Sequence, residues 1–139
     1  MTALEKVIAW LRTFPLWKEE TLHVDYLGAV PGNAGLYPGG LEELSRRTDV
    51  LGNVTVRNRL HFVLYLRTAG QQDNGENSLW LMEFQNWVQK QSAAGLAPVF
   101  GDDPKDETIR AERGKLHSAD QTGTGKYAVT LTAEFVKYY

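Results

Sequence analysis

The sequence predicts an α+β fold, a mostly antiparallel sheet with two main helices packed on it, and three patterns carry that prediction. From Val54 to Leu66 the even positions read Val54, Val56, Asn58, Leu60, Phe62, Leu64 and Leu66, while the odd positions are mostly polar or amphipathic, the signature of a strand with one buried face. Near the C-terminus Tyr127, Val129, Leu131, Ala133 and Phe135 occupy one face in the same way, with Thr130, Thr132, Glu134 and Lys137 helping to make the rest polar. Two other stretches repeat their apolar residues at helical spacing.

The first of these is Leu4, Val7, Ile8, Leu11 and Phe14, with Thr2 placed as N-cap and Pro15 as stop. "TLHVDYL", Thr21 to Leu27, is rich in β-formers and predicts a strand that ends where glycine and proline accumulate. "GAVPGNAGLYPGG" reads as a bending loop: proline fixes φ, glycine accepts positive φ, and Pro31-Gly32 and Pro38-Gly39 are natural turn pairs. The strand from Val54 to Leu66 would reach about 40 Å, longer than a usual strand, so it is expected to bend or to project as part of a hairpin.

"QQDNGEN" then predicts a turn, and Trp80, Leu81, Phe84, Trp87 and Val88 a second helix closed by Gly95. "APVFGDDPKDE" reads as a loop, Thr108 to His117 as a polar strand, and "SADQTGTGK" as the connection to the last strand. Leu60, Phe62, Leu64, Leu66, Phe84, Val88, Val129, Leu131 and Phe135 are the expected core. No repeat or linker divides the chain, so residues 1–139 are read as a single α+β domain.

At 139 residues, 42% hydrophobic and 23% charged, the chain has ordinary globular composition, and a core of that size needs no metal or disulfide to hold it. It contains no cysteine, which excludes thiol catalysis and thiolate metal sites. A net charge of −2 with both signs interspersed announces no specific nucleic-acid face. The N-terminus lacks a signal-peptide pattern and no apolar run reaches the roughly 18 residues of a membrane span, so no membrane partner is expected and the chain is read as made and kept in a cytoplasm.

The search for reaction chemistry ends in failed motifs. "GTGKYA" superficially matches a phosphate-binding loop, but Asp120 stands where the first glycine belongs, Tyr127 where Ser or Thr belongs, and a strand follows instead of a helix. His23, His61 and His117 lie on three different predicted strands and share no i, i+4 ligand spacing. No serine sits in a nucleophile elbow, and the polar groups of "HSAD" are too close in sequence to form a relay readily. Asp102, Asp103, Asp106 and Glu107 read as a solvated acidic loop, and Trp80 and Trp87, seven apart on a helix, as packing residues. The expectation is therefore no enzyme, no cofactor and no metal.

"VDYLGAVPGNAGLYPGG", "RRTDVLGNVTVRNRLHFVLYLR", "FQNWVQKQSAAGLAPVFG" and "KYAVTLTAEFVKYY", in this order, resemble the small minor capsid or tail-completion proteins of long-tailed phages and prophages. The positions that carry the resemblance are Asp25, Tyr26, Gly28, Pro31 and Gly32, then Arg47, Asp49 and Gly52, then Leu66 and Arg67. Phe84 and Trp87, Gly95, Leu96 and Pro98, and finally Tyr127 and Tyr138 continue it. "LGN" replaces the Asp-Gly turn of that pattern, and Ala97 separates Leu96 from the proline. The order of elements is also similar to that of tail terminators, which cap the head-proximal end of a tail tube.

The resemblance implies a tail terminator-like fold and a virion component assembled in the bacterial host cytoplasm. It also implies self-assembly into a ring, with a hexamer expected, that contacts the tail tube protein and the head-connector proteins. The contacts are expected around Ala29 to Gly40 and Leu51 to Asn58, with Tyr26, Pro31, Tyr37, Arg47, Asp49, Arg57 and Arg59 as candidate assembly residues. The alternative is a small-molecule-binding module or an acyltransferase-like enzyme. The H-x-x-x-D-G that an acetyltransferase of the chloramphenicol type would need is missing.

Overall fold

A computed structural model describes residues 2–17, 21–24, 33–69, 76–119 and 124–139. In chain order the elements are helix α1 (Ala3–Leu11), strands β1 (Thr21–Val24), β2 (Asn33–Thr48) and β3 (Val54–Ala69), helix α2 (Glu76–Ala93), and strands β4 (Thr108–Ala119) and β5 (Thr124–Tyr138). The sheet has five strands in the order β1-β2-β3-β5-β4. β1 runs parallel to β2, and the other neighbours are antiparallel, which makes an α+β fold.

Helix α1 begins where the sequence placed its cap, Thr2 Oγ1 accepting the Glu5 amide at 3.2 Å. Its apolar stripe buries Val7, Trp10 and Leu11, with Phe14 following in the turn before Pro15. On the sheet, antiparallel register aligns Leu36, Leu64 and Val129 across three strands, and Ala34, Leu66 and Tyr127 beside them. All six are buried, in one cluster with the stripe of α1 and with Trp80, Leu81, Phe84 and Val88 of α2.

Of the expected core only Leu60 is half-buried, and the others are closed to solvent. The tryptophans join helix to helix: Trp10 stacks on Trp87 with centroids 4.8 Å apart, and its Nε1 donates to Gln91 Oε1 at 3.1 Å. Trp80 stacks on Phe84 and donates to the Leu16 carbonyl at 2.7 Å, so its polar edge is satisfied where it is buried.

Two expectations change. Part of the glycine-rich stretch is strand: Gly35 pairs with Tyr65 and Pro38 with Phe62. A register shift between Pro38 and Gly40 forms a bulge there, with Gly40 at φ 93°. Proline is tolerated because, among the described residues, β1 reaches only Leu36 and no strand pairs with the outer side of this stretch of β2, and a Cβ on Gly39 would press on the backbone and side chain of His61.

Nor does β3 project within a two-stranded ribbon. β5 accompanies it from Thr55↔Tyr138 to Ala69↔Thr124, and β2 from Thr48↔Val54 to Ala34↔Leu66, so the long strand is the sheet's centre.

The two sheet edges are finished differently. Along β4 the outer edge is met by α2: Ser92 Oγ accepts the Ile109 amide at 3.1 Å and Gln85 Nε2 donates to the Ala111 carbonyl at 3.2 Å. Along β2, among the described residues, no strand pairs beyond Leu36.

Candidate assembly surface

The β2–β3 hairpin turns through Asp49–Asn53, and Asp49 builds the turn. Its Oδ1 accepts the amides of Leu51 at 2.9 Å and Asn53 at 3.0 Å, and its Oδ2 accepts the Asn53 side chain at 3.1 Å. The Asn53 bonds, first of all the one from its backbone, hold the Asp49 carboxyl below its ordinary pKa. Gly52, at φ 86°, completes the turn by donating to the Asp49 carbonyl at 3.1 Å. This framework holds two apolar residues out in water: Val50 is fully exposed and Leu51 is 83% exposed.

The C-terminus lies beside the hairpin's base. Val54 and Tyr139 exchange both backbone hydrogen bonds, at 3.0 and 2.8 Å, and Tyr138 and Tyr139 are largely exposed. The acidic stretch from Asp102 to Glu107 is a largely exposed loop, as expected, and its carboxylates also clasp the end of β5. Glu107 accepts the amides of Phe100 at 3.0 Å and Gly101 at 2.6 Å, Asp102 accepts the Tyr138 amide at 2.8 Å, and Asp106 pairs with Arg57. Gly101 lies so close to the Val136 carbonyl that a Cβ there would collide with it.

The sheet face turned away from the helices carries a half-buried ion lattice. Arg59 donates to Glu134 Oε1 through Nε at 3.0 Å and Nη2 at 2.7 Å. Glu42 lies 3.7 Å from Arg59 and 3.6 Å from His61, and Arg110 bridges Glu112 at 2.7 Å and Glu134 at 3.8 Å. Hydrogen bonding from Arg59 keeps the Glu134 carboxyl below its ordinary value against the opposing effect of desolvation, and the same bond raises Arg59.

Tyr37 meets Tyr65 edge to face at 5.1 Å, and Lys126 Nζ sits 4.4 Å above the Tyr65 ring. The lysine of the phosphate-loop lookalike is thus a strand residue over an aromatic face. On the helix side, a groove of about 310 Å³ opens beyond the start of α1, with Leu60 and Phe135 among its lining and Leu41 and Tyr139 at exposed positions along it.

Of the candidate contacts, Tyr26 and Pro31 lie outside the described residues. Arg47 and Asp49 are exposed near the end of the hairpin, and Arg47 shares the ion-lattice face with Tyr37, Arg57 and Arg59. Arg57 and Arg59 are engaged within the chain by Asp106 and Glu134. Sequence reasoning included Leu51 only as the start of the expected contact range and passed over Val50. Their signal was available: adjacent apolar residues directly before Gly-Asn in "DVLGN" break the polar character of a turn.

Among the described residues no group of three or more His, Asp or Glu side chains is arranged to hold a metal ion, and no helix is long and apolar enough to cross a membrane. The chain matches no protein-family model and no curated protein sequence.

Proposed function

We propose that the chain is a virion morphogenesis protein of a long-tailed phage or prophage, a tail terminator or head–tail joining component that works by assembling into a ring. The hairpin tip is the observation that carries this reading. Val50 and Leu51 are exposed on a turn made rigid by Asp49 and Gly52, and apolar side chains held out on an ordered turn are suited to entering a pocket on another protein. The order of motifs along the chain gives that other protein its class: a further copy in the ring, the tail tube protein or a head-connector protein.

A ring closes through a heterologous contact, one patch meeting a different patch on the next subunit. The tip is one half of such a contact, and the exposed tyrosines at the C-terminus extend the apolar surface at the hairpin's base. Arg57 and Arg59 then act inside the subunit, holding the acidic clasp and the ion lattice, while Arg47 and Asp49 belong to the hairpin end. Binding and assembly, without a cofactor or a chemical step, are the whole of the proposed activity.

The test is complementation of a phage lacking the gene with the doubly substituted Val50→Ser, Leu51→Ser protein. Unjoined heads and tails, or tails of irregular length, are expected from a protein whose circular dichroism matches the parent. Normal infectious particles would remove the tip from the mechanism.

A further inference from the structure

We infer that the free edge of β2 pairs antiparallel with the β2 edge of a second copy, about a two-fold axis between Leu44 and Ser45. The stretch concerned reads "LEELSRRT", Leu41 to Thr48, and its charges are self-complementary when the strand is reversed upon itself. Glu42 then faces the second copy's Arg47, Glu43 faces its Arg46, Leu41 faces its Thr48, and the axis repeats each pair.

Whether such a pairing is possible depends on which way each side chain points. β2 carries a register shift between Glu43 and Ser45, with Glu43 opposite Asn58 and Ser45 opposite Arg57. The extra residue restores the match that a regular strand would lose. Glu42, opposite Arg59, and Arg47, opposite Thr55, lie on the ion-lattice face; Glu43, opposite Asn58, and Arg46, opposite Val56, lie on the helix face. Each acidic residue therefore shares a face with the basic residue it would meet. Against an unrelated regular strand the bulge would put one half of the edge out of phase. Against its own copy the two bulges coincide at the axis.

Three further features fit a second copy rather than another occupant. Among the described residues no strand pairs with the outer edge of β2 from Tyr37 onward, which is the edge a further strand would add to. Pairing β2 with the β4 edge of another subunit is opposed by Ser92 and Gln85, which already bond that edge at Ile109 and Ala111. From Leu41 to Thr48 every residue except Leu44 is exposed. Glu43 and Arg46 meet within the strand at 2.7 Å, but with side chains 48% and 59% exposed this is an ion pair of little worth that can exchange for the intermolecular one. A two-fold contact closes on itself and cannot propagate around a ring, so it is separate from the tip contact and stands or falls independently of the phage reading.

Sedimentation of the full chain tests it. The parent protein is expected to form a dimer that weakens with salt. Glu43→Arg and Arg46→Glu should each loosen it about tenfold or more, because either change places like charges opposite each other twice. An equimolar mixture of the two variants, and the combined Glu43→Arg, Arg46→Glu protein, should recover the dimer. A parent monomeric at all concentrations, a dimer indifferent to the single reversals, or a mixture that does not recover would overturn the pairing. Amide exchange on the parent alone gives a check free of substitutions: protection of residues 42 to 47 should rise with protein concentration, and protection independent of concentration would equally overturn it.

Discussion

Asp49 shows at the scale of one residue how a turn is held open for contact. Its carboxylate gathers three donors from the five-residue turn it begins. Asp49→Ala should therefore speed amide exchange at Leu51 and Asn53, by roughly tenfold for the loss of a charge-assisted bond. The same carboxylate makes the tip sensitive to acid. A depressed folded pKa means that the stabilising contribution is complete above the ordinary carboxylate range and lost as pH falls through the folded value. Glu134, also depressed, adds a loss of the same sign on the ion-lattice face, so stability measured by denaturant should fall below the ordinary carboxylate range, where Asp49→Ala should show the smaller fall. At Gly101 the constraint is steric. Gly101→Ala would drive a methyl group into the Val136 carbonyl, and a cost of about 1–3 kcal/mol in equilibrium unfolding is expected.

At the scale of elements, legibility in the sequence followed burial. β3 and β5 each have one face in the core, so the period of two is written in Phe62, Leu64 and Leu66 and in Val129, Leu131 and Ala133, and the register could be anticipated. Truncating Phe62, Leu64 or Leu131 to Ala should cost about 2–5 kcal/mol, read from the shift of a urea midpoint. β2 gave no such signal although it is as long as β3. Its first part is Gly- and Pro-rich and carries a bulge between Pro38 and Gly40, past the last residue that β1 pairs. Its second part is exposed on both faces, so nothing required apolar residues to alternate there, and two register shifts break the period further. The acidic clasp was equally hidden: the hydrogen bonds that Asp102 accepts from Tyr138 and Glu107 accepts from Phe100 and Gly101 depend on where β5 ends, which spacing alone does not reveal.

For the molecule as a whole, the residues that hold the fold and those offered for contact are separate sets. The core joins both helices to one sheet face, the ion lattice ties together the opposite face, and neither includes Val50 or Leu51. An exposed apolar side chain that touches no buried neighbour contributes little to folding, so Val50→Ser with Leu51→Ser should leave the unfolding free energy within about 0.5 kcal/mol per site. Reversing Arg59 should behave in the opposite way, lowering the unfolding midpoint, because Glu134 and Glu42 would lose their shared cation. Measured side by side in unfolding and in phage complementation, the tip variant should be stable and defective in assembly. An Arg59→Glu variant should lose assembly only to the extent that it loses folded protein. A tip variant that unfolds early would place Val50 and Leu51 among the structural residues, and the apparent interface would then be part of the fold.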